Sequence, residues 1–233
     1  MTPGQQTSFV IASRNRAAEL TLTMARLLDT TPCRIVLVDN ASEDDSVHAA
    51  RRVAAGSGGR VQIIELDRNL GGAPPARNIG VAACGTPPYV AFCDDDSWWA
   101  PQTLRPPRRP SSPATPPVGL LAAKTVVLPQ RTEDPLVHLL ASSPLGTRPG
   151  GCPAHRSSAS WPAPRSCEPK LLRCRRVQPP RPALPRRGAT VGAGHGAAGW
   201  ELCYCSELVA VHQPSQTRPT SAAQDARSLR NDV

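Results

Sequence analysis

The sequence is short of the large side chains that usually fill a protein core: Phe, Tyr and Trp together make up 3% of its 233 residues, and 27 residues are proline. Such material suits one modest domain, or at most two small ones. No apolar run approaches the roughly 20 residues that a bilayer-spanning helix needs, and the N-terminus lacks a charged stretch followed by an apolar one. A soluble cytoplasmic protein is expected, with peripheral contact at the inner face of the membrane left open. The eight cysteines form no CxxC pair, and Cys203 and Cys205 stand too close in sequence for an ordinary pair of zinc ligands. They read as reduced thiols.

Acid is all but missing from two stretches. Residues 105–117 hold three Arg and six Pro without any acid; residues 151–194 hold eight Arg, one Lys and eight Pro against Glu168 alone. These segments carry +3 and +8 of a formal net charge of +9, so the remainder stands at about −2. The basic character belongs to two inserts, which argues against a fold-wide nucleic-acid surface. Neither insert shows helical or alternating apolar periodicity, and both are expected to be disordered. Trp161 is the one aromatic interleaved with the second, so a base-stacking platform is not expected there.

The rest of the chain alternates. Ser8–Ala12 is a β-rich apolar run followed by Ser13, Arg14 and Asn15, which can end a strand and cap a helix. Leu20, Met24, Leu27 and Leu28 then stripe one face of a helix. A second unit follows: Arg34–Val38, a turn at Asp39–Ser42, and a helix striped by Val47, Ala50 and Ala54, with Ser42 and Asp45 spaced like a capping box. A third strand, Val61–Leu66, leads through Asn69-Leu70-Gly71-Gly72 to a helix that can begin at Pro74 or Pro75. Tyr89–Cys93 is the fourth strand. This order predicts right-handed βαβ crossovers and a largely parallel sheet covered on both faces, with ligands beyond the carboxyl ends of its strands. Asp39 and Asp94–Asp96 both fall at such ends, so they converge on one rim.

Three consecutive aspartates, in AFCDDDSWW, repel one another unless a cation sits among them, which favours a hard divalent metal with oxygen ligands. Asp94 and Asp96 are two apart and point the same way if the loop is extended. A solvated acidic turn is the plainer alternative.

SFVIASRNR, IVLVDNASEDDS, NLGGAPPARNIGVA and VAFCDDDSWW, in this order and spacing, resemble the N-terminal half of an inverting family 2 glycosyltransferase of the bacterial rhamnosyltransferase-like type. The resemblance covers residues 7–104 and implies an α/β GT-A fold, a Rossmann-like mostly parallel sheet flanked by helices. Residues 1–150 would form the nucleotide-sugar-binding core, 151–195 the Arg/Pro-rich segment, and 196–233 a C-terminal remnant of the core plus a tail.

The resemblance also implies roles. Ala12, Ser13 and Arg14 would line a base pocket, mostly through backbone groups, and Asp39 would accept from the N3–H of uracil or thymine; a helix-capping role competes for Asp39. Gly71 and Gly72 would let the backbone approach the nucleotide, or simply turn the chain. Arg77 would reach the phosphates or hold the acidic loop. Asp94 and Asp96 form a DXD pair for Mg or Mn, Asp94 being shared with the ribose, and Asp95 would face Arg77 or solvent. Trp98 and Trp99 could stack on sugar, although burial of at least one is the safer expectation. Residues 118–149, with a strand from Val118 to Leu128, and the segment from Gly196 onward resemble later parts of the family, and His212 falls where members supply a histidine to the metal.

Between residues 150 and 195 the family would carry the acceptor loop and the catalytic base. Here Arg, Pro, Ala and Gly dominate, as when GC-rich codons are read out of frame, so compensating frameshifts are inferred for 105–117 and 151–195. Glu168 sits between Cys and Pro and does not resemble a base on a helix. No catalytic base is assigned. The expected function is metal-dependent transfer of a sugar from a UDP- or dTDP-sugar to a glycan or lipid-linked acceptor, as in cell-wall polysaccharide synthesis, with donor binding retained and turnover low or lost. The alternative is a nucleotide- or nucleic-acid-binding protein without transferase activity. A nucleotidyltransferase is disfavoured by the absence of a glycine-rich N-terminal loop with its phosphate-binding lysine.

Overall fold

A computed structural model of the chain describes residues 7–101, 118–142, 154–156, 170–173 and 201–215. The N-terminal part runs β1 (Thr7–Ser13), α1 (Ala17–Thr30), β2 (Arg34–Asp39), α2 (Ser46–Ala55), β3 (Val61–Glu65), α3 (Ala73–Ala83) and β4 (Tyr89–Cys93). There follow β5 (Ser97–Trp99), β6 (Val118–Val127), β7 (Thr132–Glu133), α4 (Pro135–Ala141), β8 (Ala154–Arg156), β9 (Lys170–Arg173) and β10 (Glu201–His212). Among the described residues all ten strands join one sheet, in the order β3-β2-β1-β4-β9-β6-β10-β5, with β7 beside β6 and β8 beside β10.

Strands β3, β2, β1 and β4 are mutually parallel. Alternation along β1 explains how it is covered. Phe9 and Ile11 pack with Leu20, Met24 and Leu27 of α1, while Val10 and Ala12 pack with Val36, Val38 and Ala76 on the opposite face, under α3. A strand buried on both faces reads as a continuous apolar run, as SFVIA does. Helix α2 buries Ser46, Ala49 and Ala50, a face one step round from the expected Val47, Ala50 and Ala54, because it lies against α1 as well as the sheet.

The chain steps outward from β1 to β2 and β3, then returns to place β4 on the other side of β1. That reversal opens a crevice beyond the carboxyl ends of β1 and β4, the usual ligand position in such sheets. The acidic turn sits there because it directly follows β4, and β5 after it runs antiparallel to β10, with Ser97 opposite His212.

Seven residues of the second basic segment depart from expectation, and the rest of 151–195 lies outside the described residues. Residues 154–156 and 170–173 are strands, and β9 lies between β4 and β6, antiparallel to both. Four residues are too few to show a period, and here sheet pairing on both edges supplies the backbone partners that make a strand. The insert at 105–117, Trp161, Glu168 and Gly196 lie outside the described residues. No described helix is long and apolar enough to cross a membrane, and the five described cysteines (33, 84, 93, 203 and 205) are buried and not disulfide-bonded.

Candidate active site

Two loops at the strand ends interlock. Arg16 N donates to Ser46 Oγ at 3.0 Å, Ala17 N to Asp44 Oδ2 at 3.3 Å, and Asn15 N to Ser42 Oγ at 2.9 Å. In return Glu43 N donates to Asn15 Oδ1 at 2.7 Å. The start of α1 is thus capped by the β2–α2 loop, not by the residues before it, and the expected Ser42–Asp45 capping box does not form. Ser42 Oγ donates to Asp39 Oδ1 and Ser42 N to Asp39 Oδ2 at 2.8 Å.

Asp39 is therefore buried, 2% exposed, with both oxygens in a local turn. The Ala12 side chain packs under α3. Ser13 Oγ donates to Asp95 Oδ2 at 3.1 Å, and its carbonyl accepts from Asn40 N at 2.8 Å. Arg14 folds over the neighbouring loop, donating to Ala41 O at 3.0 Å and to Glu43 Oε1 at 2.7 Å. Gly71 and Gly72 have φ of 86° and 144°, conformations that favour glycine. Their loop is braced by Asn69 Oδ1, which accepts from Asn40 Nδ2 at 3.0 Å and from Gly71 N at 2.9 Å; Asn40 Oδ1 in turn accepts from Leu70 N at 2.9 Å.

The aspartates are not in an extended loop. Ser97 N donates to Asp94 O at 3.3 Å and Asp94 N to Ser97 Oγ at 3.0 Å, closing a tight turn. Consequently Asp94 and Asp96 have different partners. Arg77 donates to Asp94, not to Asp95, and its guanidinium also lies 5.7 Å from the Phe92 ring. Asp95 instead faces Ser13 and Arg16, whose Nε lies 3.6 Å from Asp95 Oδ1. Burial pushes the Asp95 carboxyl up to about 6, Asp96 adds to the rise, Arg16 opposes it, Asp94 adds again and the Ser13 hydroxyl opposes.

Asp96 is the most enclosed of the three, its side chain 1% exposed. Its Oδ2 lies 3.4 Å from Arg16 Nη2. Its Oδ1 faces His212 Nε2 at 3.5 Å, and neither of these two atoms has a hydrogen bond. Gln213 N donates to Asp96 O at 2.9 Å, which fastens the turn to the end of β10. Two buried polar atoms that face one another without a hydrogen bond fit a cation between them. Among the described residues no three His, Cys, Asp or Glu side chains gather as a ready-made metal cage. One carboxylate with substrate phosphates completing the shell is a common arrangement for Mg, and the His212 nitrogen would add a softer ligand to that of Asp96.

Trp98 and Trp99 are both buried, Trp99 fully and Trp98 with 8% exposed. Trp98 lies 5.8 Å from the Arg26 guanidinium and lines a cleft of about 520 Å³ with Glu19, Leu22, Asp96, Arg131 and Gln213. Sequence reasoning missed Arg16, Asn40 and Asn69. The signal for Arg16 was its place at the end of SRNR, one residue before a helix that starts over the acidic turn.

Residues 8–106 match the family model described as Glycosyl transferase family 2. No curated protein sequence matches the chain. Among solved structures, the chain is similar to the mannosyltransferase PcManGT from Pyrobaculum calidifontis in complex with GDP-Man and Mn2+, at 17% identity and a TM-score of 0.65, covering 96% of this chain and 61% of that one. It is also similar to S. aureus TarS 1-349 in complex with UDP-GlcNAc, at 14% identity and a TM-score of 0.61, covering 93% of this chain and 61% of that one. A third is GalNAc-T7 with UDP, GalNAc and Mn2+, at 14% identity and a TM-score of 0.59, covering 96% and 47%. The chain thus spans less than two thirds of the length of these structures. Its N-terminal part matches glycosyl transferase family 2, and the sheet with its flanking helices is the GT-A fold.

Proposed function

We propose that the chain is a glycosyltransferase that binds a UDP- or dTDP-sugar in the crevice beyond β1 and β4, with Mg or Mn held by Asp96 and His212. The observation that carries this reading is the buried Asp96–His212 pair, 3.5 Å apart and without hydrogen bonds at the facing atoms. Relatives in fold were solved with GDP-Man or UDP and with Mn2+, which supports both a nucleotide donor and a cation. When bound, the cation supplies positive charge against the diphosphate as it leaves.

The chain's own residues orient the donor. Asp39 would accept from the imide N–H of the base, the Gly71–Gly72 backbone would lie along the nucleotide, and Arg77 would act through Asp94 by fixing the acidic turn. Asp94 and Asp95, engaged by Arg77 and by Arg16 and Ser13, would shape the ribose and diphosphate side of the pocket. The acceptor, a glycan or lipid-linked glycan, would displace the diphosphate in line with inversion, as in the rhamnosyltransferase-like type. No described carboxylate is assigned as the base, and turnover is expected to be low or absent. A nucleic-acid role for the Arg/Pro segments is favoured by no observation.

Calorimetry on folded chain with UDP, dTDP and GDP, with and without Mn, tests the reading. Mn-dependent binding of UDP or dTDP that Asp96→Asn abolishes is expected. Absence of binding by folded chain defeats it, and rapid sugar transfer would overturn the expectation of lost turnover.

A further inference from the structure

We infer that Arg16 is a positioning residue for the cation: it holds Asp96 Oδ2 and so leaves Oδ1 turned toward His212. This rests on the cation reading just proposed. Arg16 stands immediately before α1, its backbone N–H tied to Ser46 Oγ at 3.0 Å. Its guanidinium spreads over three carboxylates: Nη1 lies 3.4 Å from Glu19 Oε1, Nε 3.6 Å from Asp95 Oδ1, and Nη2 3.4 Å from Asp96 Oδ2. The side chain is 17% exposed, so little water competes.

A planar fork with donors on three nitrogens can engage three acids at once, whereas an ammonium acts from one point. Glu19 and Asp95 fix the fork, and the fork fixes which oxygen of Asp96 is occupied. The two oxygens are then no longer equivalent: Oδ2 has its cationic partner, and Oδ1 meets His212 Nε2 at 3.5 Å without a hydrogen bond. Without Arg16 the carboxylate is free to rotate, and three acids crowd together without their counter-charge.

The sign of the effect separates this role from that of a bystander charge. A fixed positive group near a cation site repels the cation, so removing a bystander tightens binding. Removing a positioning group loosens it, with outer-shell partners of metal ligands typically worth about tenfold or more.

The test is titration of full-length chain with Mn2+ alone, followed by the EPR signal of free Mn2+, for wild type, Arg16→Gln, Arg16→Lys, Asp96→Asn and His212→Ala, each checked by circular dichroism. Pulsed EPR of the bound ion reads nitrogen coupling from His212. Arg16→Gln is expected to weaken Mn2+ binding by about tenfold or more and to diminish the nitrogen coupling. Arg16→Lys, which keeps the charge but not the fork, is expected to fall between. Unchanged or tighter binding by folded Arg16→Gln overturns the inference and leaves the cation reading intact. If that variant does not fold, wild-type affinity in Arg16→Lys overturns it instead. If wild type binds no Mn2+, or if Asp96→Asn and His212→Ala both bind as wild type does, the cation reading fails and this inference falls with it.

Discussion

Arg77, on the second turn of α3, donates to Asp94 at the first position of the acidic turn. The pair is partly enclosed, with side chains 26% and 11% exposed. It ties the helix that follows the Gly71–Gly72 loop to the aspartates, so an ion pair joins the two sides of the crevice. Arg77→Ala leaves a mostly buried carboxylate without its cation, and a loss of about 1–2 kcal/mol is expected after allowance for solvent screening. A double-mutant cycle with Asp94→Asn in urea unfolding measures the coupling. Additive single-mutant losses would mean that the pair contributes nothing of its own.

Gly80 rests against the central strand. A Cβ on it would stand 2.5 Å from Val10 Cγ1 and 3.2 Å from Val38 Cγ2. Gly→Ala inside a helix ordinarily gains about 1 kcal/mol. Here Val10 and Val38 are fully buried on adjacent parallel strands and have no room to yield. Gly80→Ala is expected to destabilise by about 1–3 kcal/mol, read as a lower urea midpoint at unchanged slope; a raised midpoint would show that α3 can lift without penalty.

The β1–α1–β2–α2–β3–α3–β4 order was legible because each element is set by its own periodicity, and the parallel half of the sheet follows from that alternation; the GT-A fold was implied by the resemblance of the four motifs. Asp39 and the aspartates were legible as rim residues for the same reason: they end apolar strands. The direction of each side chain was not. Asp94 and Asp96 part because Ser97–Trp99 pairs with β10 more than a hundred residues later, and no local pattern encodes that turn. The pairing of Asp96 with His212 depends on the same long-range contact. Strand β9 was invisible because the neighbours β4 and β6, and no period of its own, define it.

Asp44 provides a pH-dependent clasp between the two loops. It accepts from Ser46 N at 2.9 Å through Oδ1 and from Ala17 N at 3.3 Å through Oδ2. Burial alone would raise its carboxyl, but the Ser46 hydroxyl and the backbone N–H groups of Ser46 and Ala17 outweigh this and hold it below the ordinary value of 3.8. A depressed folded-state value means stabilisation that is fully present above the unfolded pKa and is lost as the pH falls through the folded one. Asp44→Ala is therefore expected to cost about 1 kcal/mol at pH 7, and its difference from wild type should close as the pH drops below 3.8. A gap that persists into stronger acid would assign the loss to packing and not to the carboxylate.

In the proposed site Asp39 would serve both a turn and a base. Both of its oxygens accept from Ser42, one from the hydroxyl and one from the backbone N–H at 2.8 Å. A carboxylate has about four lone-pair sites, so these bonds leave acceptor capacity for a pyrimidine imide. The two roles separate by substitution. Ser42→Ala removes the hydroxyl bond but keeps the charge, and is expected to cost about 1 kcal/mol of stability with UDP affinity within a few-fold of wild type. Asp39→Asn keeps the shape but removes the charge and replaces one acceptor oxygen by an amide donor, which must then oppose a donor of Ser42 or the imide N–H. It is expected to lower UDP affinity by at least about tenfold, and more for UDP than for GDP. Calorimetry on both variants decides between them: an Asp39→Asn chain that loses stability yet binds UDP as wild type does would leave Asp39 a turn residue, and the base would have to be read by other groups on the rim.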